Sequence, residues 1–182
     1  MYIAFCGIDG AGKTTVINRI MDSGHDAVFT REPYHPDVKE AVGRVDPVEL
    51  SYLFAHDRYL HMKDVIIPAK KAGRNIISDR CYLCSLAFQS YDGVDLQWLM
   101  QVQPENLVFP DYVIFFQGLP EVAARRSGED ADRLRAIQHG YAEILSSYEL
   151  PLMAWYPINV DGKTIDEIYV ETALLISELG VK

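Results

Sequence analysis

Gly7-Ile8-Asp9-Gly10-Ala11-Gly12-Lys13-Thr14 matches the spacing G-x-x-x-x-G-K-[ST], directly after a short apolar run and directly before a helix-permissive one. Glycines so placed let backbone N–H groups turn inward around a phosphate, and the start of the following helix adds partial positive charge. In that setting Lys13 bridges β- and γ-phosphates and the Thr14 hydroxyl is placed to ligate Mg²⁺. The expected nucleotide-binding stretch therefore runs from Gly7 through Thr15. The bland alternative is a glycine-rich turn with a chance lysine; the order strand, loop, helix favours a phosphate site.

Three further clusters carry chemistry. They are Thr30-Arg31-Glu32-Pro33, Ile76-Ile77-Ser78-Asp79-Arg80 and Leu53-Phe54-Ala55-His56-Asp57-Arg58. Phe54 and Arg58 are four residues apart on a predicted helix, so an apolar ring and a donor fork share one face, which suits a nucleobase. A GTPase would need an N/T-K-x-D segment and a D-x-x-G switch, and neither occurs in a suitable place.

The elements that must position these residues follow from the apolar runs Tyr2–Cys6, Ala27–Thr30, Asn75–Ser78, Tyr112–Phe116 and Tyr156–Val160, each followed by a longer helix-permissive segment. Crossovers of that length allow parallel but not hairpin pairing, so the reading is an α/β three-layer fold with a five-stranded parallel sheet flanked by helices. Its strand ends share one edge, where such folds place ligands, and this puts Arg31 and Asp79-Arg80 beside the phosphate loop. The longest helix starts at Asp46-Pro47, as cap and first turn, and runs to about Gly73 with a bend at Pro68. Ser127–Asp132, flanked by Arg125, Arg126, Arg133 and Arg135, reads as a mobile loop with basic edges, and Thr164–Leu179 as a surface-packed helix.

At 182 residues, 49% hydrophobic and 24% charged, the chain encloses one core, read as a single domain over 1–182 with a lid at about 125–135. Mean hydropathy is −0.03, and no apolar run has the length of a membrane span. The opening segment lacks a secretory pattern, and three cysteines fit a reducing, cytoplasmic setting. A net charge of −9 argues against binding a nucleic-acid backbone or a membrane surface, so any polyanionic ligand must meet a local basic cluster.

Over essentially its whole length the sequence resembles the thymidylate kinase family. The residues that carry the resemblance are Ile8-Asp9-Gly10 in the phosphate loop, Thr30-Arg31-Glu32-Pro33, Leu53 to Arg58, Asp79-Arg80, Cys84 to Gln89, Pro110-Asp111, Leu119 to Arg126, and Arg133. The resemblance implies transfer of the ATP γ-phosphoryl group to dTMP, with Mg²⁺, in a cytoplasmic homodimer packed through helices. It implies that Phe54 stacks on thymine and Arg58 donates to a base carbonyl. Arg31 and Arg80 grip the acceptor phosphate, and Asp9 accepts from the sugar 3′-hydroxyl or holds that phosphate through an arginine. Ser85, Phe88 and Gln89 line the acceptor site, and Asp79 joins Thr14 at the metal. The phosphate loop contains no arginine, so the lid must supply the donor-side one: Arg126 and Arg133, with Arg125 as substitute. Lys13, Arg80, Asp9, Arg126 and Arg133 are the expected catalytic set. Alternatives are a kinase for another deoxynucleotide or a deoxynucleoside, and a non-catalytic ATP-binding regulator.

The sequence departs from the family pattern at several places. Phe88 stands where the family usually has Tyr, Cys84-Ser85 where it has Ser-Thr, Gln117 where it often has Asp, and Pro33-Tyr34-His35 where Pro-Gly-Gly is common. The Cys81/Cys84 pair forms a C-x-x-C without a thioredoxin context or a second pair, which disfavours redox or zinc function. His56 and His61, five apart on a helix, diverge and read as helix-face residues.

Overall fold

The strand β1 (Tyr2–Cys6) is buried at every position, as a central strand covered on both faces must be. The computed structural model describes residues 1–147 and 154–181. It places β1 in a five-stranded parallel sheet with β2 (Ala27–Arg31), β3 (Asn75–Asp79), β4 (Tyr112–Gln117) and β5 (Ala154–Asn159), in the order β2-β3-β1-β4-β5. Four of the expected strands lie where the apolar runs put them, each within a residue at either end. The fifth starts two residues earlier and ends one earlier than its apolar run. As an edge strand it tolerates Pro157, which has no N–H to give a second neighbour.

Right-handed crossovers sort the helices onto two faces. The helix α1 (Lys13–Asp22), on the way out to β2, packs against α9 (Ile165–Glu178), which Thr164 caps with a reciprocal Glu167 bond. The opposite layer contains α2 (Pro36–Ala41), α3 (Pro47–His61), α4 (Ile67–Lys71), α5 (Tyr82–Tyr91), α6 (Leu96–Gln101), α7 (Pro120–Ser127) and α8 (Ala131–Ser147). The buried core between layers includes Phe5, Phe115, Phe116 and Tyr141.

Asp46 caps α3 as expected, its carboxylate accepting from Val48 N (2.9 Å) and Glu49 N (3.1 Å). The long helix does not simply bend at Pro68. A π-helical turn over Met62–Ile66 separates α3 from α4, with the Ile67 N–H reaching back five residues to the Met62 carbonyl. Pro68 has no N–H to offer, and the wider turn just ahead of it resets the ladder. The helical stretch ends at Lys71 rather than Gly73. The expected Ser127–Asp132 loop is also shorter than its sequence suggests: α7 runs through Ser127 and α8 begins at Ala131, leaving three residues between them.

Candidate active site

The phosphate loop bends tightly because two of its glycines lie against the backbone of neighbouring elements. A side chain at Gly7 would meet the Phe116 carbonyl at 2.6 Å, and one at Gly10 would collide with the Ala123 carbonyl on α7. Behind this curve Lys13 is 4% exposed and donates to the carbonyls of Gly7 (2.9 Å) and Ile8 (2.8 Å). Burial, reinforced by the Arg80 charge and opposed by Asp9, lowers its ammonium to a pKa of about 8.

Strand order decides what stands next to this loop. Because β3 adjoins β1 and β2 lies outside β3, Asp79 and Arg80 are immediate neighbours of the loop, while Arg31 sits one strand further out and exposed. The expectation that Arg31 and Asp79-Arg80 flank the loop alike is therefore corrected for Arg31. Thr14 Oγ1 donates to Asp79 Oδ2 at 2.5 Å, and the buried Asp79 Oδ1 has no hydrogen-bond partner. A hydroxyl beside a buried carboxylate with an unused oxygen is the hard-oxygen donor set that suits Mg²⁺.

Arg80 has a left-handed backbone, φ 78°, the only positive φ outside glycine among the described residues. The Arg80 N–H donates to Phe5 O (2.9 Å) and its carbonyl accepts from Ser78 Oγ (2.7 Å), which holds the turn. The guanidinium ion-pairs with Asp9 and lies 5.3 Å from the Phe88 ring centroid.

The Phe54/Arg58 face is present on α3, Phe54 half-buried and Arg58 only 2% exposed. Four of the five N–H donors of Arg58 are taken by protein groups. Its Nε and Nη2 donate to Glu32 Oε2 (3.0 and 2.8 Å), Nη2 also to Ser85 Oγ (2.8 Å), and Nη1 to Gln103. Ser85, expected from sequence to line the acceptor site, is thus tied to Arg58. Gln89 is turned inward as well: with its oxygen toward Ser51 it accepts from that residue's N–H (3.0 Å) and hydroxyl (2.6 Å), and its nitrogen donates to Ser85 O (3.3 Å).

Glu32 was missed as a site-building residue. Burial raises its pKa, but the Arg58 charge and the nearby His61, whose Nδ1 is 3.5 Å from Oε1, outweigh that and hold it at about 2. His61 lies on the buried face of α3, its Nε2 2.7 Å from Thr30 Oγ1. Asp57, also missed, accepts from the N–H groups of Tyr34 (2.6 Å) and His35 (2.9 Å) and pins the loop after β2. No periodicity signals these partners, because each contact spans more than twenty residues of chain.

The basic residues flanking the expected lid part company. Arg126 is exposed, with Nη1 3.5 Å from the Gly10 carbonyl, and Arg125 is exposed without facing the loop cavity. Arg133, on α8, instead packs against the end of α5: it pairs with Asp92 (3.3 Å) and Glu129 (2.6 Å), and its guanidinium sits 5.3 Å from the Tyr91 ring and 5.7 Å from Phe88. Phe88 thus lies against Arg80 and Arg133 together. Arg135 is bound by Glu121 and Asp132.

A cavity of about 440 Å³ opens over the loop, lined by residues 9–15, Arg80, Arg126, Lys163, Ile165 and Ile168. The last three come from the turn after β5 and from α9. A larger hollow of about 550 Å³ between α1 and α9, around Arg19 and Asp166, contains an exposed ion pair and none of the loop residues. The loop cavity combines a phosphate cradle, two arginines and the Thr14 hydroxyl that meets Asp79, an arrangement suited to moving a phosphoryl group between two anions.

Comparison with known proteins agrees with that chemistry. A family model described as thymidylate kinase matches residues 5–149. A thymidylate kinase of Pelotomaculum thermopropionicum is 36% identical over 168 residues, covering 81% of this chain and 77% of its own length. One from Symbiobacterium thermophilum is 30% identical over a 200-residue alignment covering 98% of this chain and 94% of the relative. The crystal structure of a thymidylate kinase from Ehrlichia chaffeensis shares the fold, with a TM-score of 0.76 at 22% identity, covering 97% of this chain and 98% of that one.

Proposed function

The chain belongs to the thymidylate kinase family, and we propose how its residues divide the work of that reaction. The enzyme is a phosphotransferase that uses ATP to convert dTMP to dTDP. The observation that carries the division of roles is the Arg80–Asp9 ion pair, which joins the phosphate loop on the donor side to the strand end that faces the acceptor.

The acceptor is a phosphate monoester, largely dianionic near neutral pH because its second pKa is about 6, so no general base is needed. The protein must align two polyanions and stabilise charge on the group in flight. Gly7 to Thr15 cradle the donor phosphates with Lys13. Arg80, with Arg31 further out, holds the acceptor phosphate, and Asp9 keeps Arg80 turned toward the loop. Phe54 stacks on the base, Arg58 presents its edge from a fixed position, and Ser85, Phe88 and Gln89 shape the pocket around it. Arg126 approaches the donor from the lid, about 125–135, with Arg125 beside it. Arg133 acts with it once the lid draws it off Phe88 and Tyr91. Thr14 and Asp79 would hold Mg²⁺, which when bound neutralises charge on the β- and γ-phosphate oxygens.

We place these roles in one catalytic unit over 1–182. A cytoplasmic homodimer packed through helices goes with this reading, supported by the exposed Val48, Tyr52 and Tyr59 on α3. No helix among the described residues is long and apolar enough to cross a membrane.

ADP release measured with ATP, Mg²⁺ and a panel of dTMP, dUMP, UMP, dCMP, dGMP and thymidine tests the function directly. The reading requires dTMP to be the preferred acceptor. Turnover of thymidine but not dTMP would sink it, and ATP hydrolysis indifferent to every acceptor would indicate a regulator. Arg126→Ala is expected to lower kcat about 100-fold at saturating substrates, and wild-type turnover would remove Arg126 from the reaction. Lys13 adds a pH-dependent expectation. Free Lys13 is mostly neutral above its pKa of about 8, and a polyanion beside it restores the charge, so ATP binding at pH 8.5 to 9 takes up a proton and weakens as pH rises further. Calorimetry in buffers of different ionisation enthalpy reads that uptake; its absence across this range would contradict the role given to Lys13.

A further inference from the structure

Three thiols meet under the phosphate loop, and the phosphoryl transfer uses none of them. Cys6 ends β1 one residue before Gly7, Cys81 follows Arg80, and Cys84 lies on the first turn of α5. All three are free and buried, with Cys6 Sγ 3.5 Å from Cys81 Sγ and 3.8 Å from Cys84 Sγ. Seventy-five residues or more of chain separate Cys6 from its partners, so the C-x-x-C spacing gave no sign of this cluster. It has a single central member, Cys6, within reach of both others. Cys84 is the most exposed of the three, at 6%, and Arg80 stands beside it as a fixed positive charge.

We propose that the Cys6–Cys84 pair is an oxidation site for hydroperoxides, whose closure into a disulfide disables the phosphate-loop edge reversibly. The Cys84 thiolate sulfur attacks one peroxide oxygen, the O–O bond breaks and hydroxide leaves, giving a sulfenic acid. Cys6 sulfur then attacks Cys84 sulfur, the S–O bond breaks, and the Cys6 proton leaves with the hydroxide as water. In sum, two thiols and one hydrogen peroxide yield one disulfide and two waters. Burial opposes ionisation of Cys84, but the neighbouring Cys6 thiol and the Arg80 charge outweigh it and lower its pKa to about 6.

Closing the bond draws the sulfurs from 3.8 Å to about 2.05 Å. That pulls the first turn of α5 toward the end of β1 and leaves no ionisable thiol at Cys84. The atoms displaced adjoin Gly7, whose carbonyl anchors Lys13, so activity falls with the chemistry of the loop.

The inference rests on the kinase reading only for its activity arm; a mass measurement stands apart from it. Reduced enzyme treated with hydrogen peroxide is expected to lose about 2 Da and to give a non-reducing tryptic link between 1–13 and 81–125. Turnover is expected to drop about 10-fold or more and to return with dithiothreitol. The link persists in Cys81→Ser and is absent from Cys6→Ser and Cys84→Ser, whose melting temperatures and reduced-state kinetics verify folding. Should either of those two fail to fold, the wild-type and Cys81→Ser maps decide alone. An unchanged mass, a link that survives Cys84→Ser, a link lost in Cys81→Ser, or oxygen addition at Cys84 that dithiothreitol does not reverse would each overturn the proposal.

Discussion

Arg80→Gly is expected to lower kcat about 100- to 1,000-fold while leaving a more stable protein than Arg80→Ala. The two halves of this outcome have separate causes. Arg80 combines a left-handed backbone, φ 78°, with a guanidinium paired to Asp9 and stacked on Phe88. For a residue with a Cβ the left-handed conformation costs about 1–2 kcal/mol, and glycine avoids that cost. Both variants lose the guanidinium and thus the charge we propose for the acceptor phosphate. Only the alanine variant retains the strain, so the glycine variant should be firmer by about 1 kcal/mol, or roughly 2–4 °C in melting temperature for a chain of this size. Paired melts and steady-state kinetics check both. Equal stabilities would mean the backbone is unstrained, and turnover preserved in either variant would take Arg80 out of the reaction. Such a residue is strained for the sake of its position, a stability cost that functional sites commonly carry.

The second large effect concerns Glu32, which touches no substrate in the roles given above. Its carboxylate meets Arg58 in a buried pair at 2.8 Å, with side-chain exposures of 8% and 3%. Glu32→Gln leaves the Arg58 charge buried without a counterion, a change that typically costs about 3–5 kcal/mol and here should lower the melting temperature by about 10 °C. The same pair sets an acid sensitivity. Glu32 has a folded pKa of about 2 against 4.5 when unfolded, so its contribution is complete above pH 4.5 and is lost as pH falls toward 2. That shift corresponds to about 3 kcal/mol. Thermal melts from pH 7 down to pH 3 should show the wild type losing its advantage over Glu32→Gln; parallel curves would show that the pair contributes no such linkage. Exchanging both residues for apolar ones should recover much of the stability while removing the guanidinium proposed to meet the base.

The phosphate loop was fully legible because all its parts are contiguous: eight residues contain the glycines, the lysine and the hydroxyl, and the helix that follows is local too. The alternation of apolar runs and helical stretches made the parallel sheet legible for a similar reason, since each run is a local property of the chain. The family signature pointed to the residues proposed for the acceptor site, but their partners were hidden. Arg58 was expected to face a base and is held by Glu32, Ser85 and Gln103, from three other segments. Arg133, read together with Arg126 as a lid arginine, rests against Phe88 and Tyr91.

What the sequence by itself determined is the chemistry available and its class: a phosphate cradle, arginines at strand ends, an aromatic–arginine face on a helix, and the absence of any arginine inside the loop. What only the tertiary structure decided is adjacency. The order β2-β3-β1 places Asp79 and Arg80 rather than Arg31 against the loop, orients Thr14 toward Asp79, and gathers three distant cysteines beneath Gly7. Local propensity and spacing act over a few residues, whereas strand order and side-chain pairing are settled by burial and charge compensation across the whole core. For that reason the reaction could be read from the chain, and the network that holds its arginines could not.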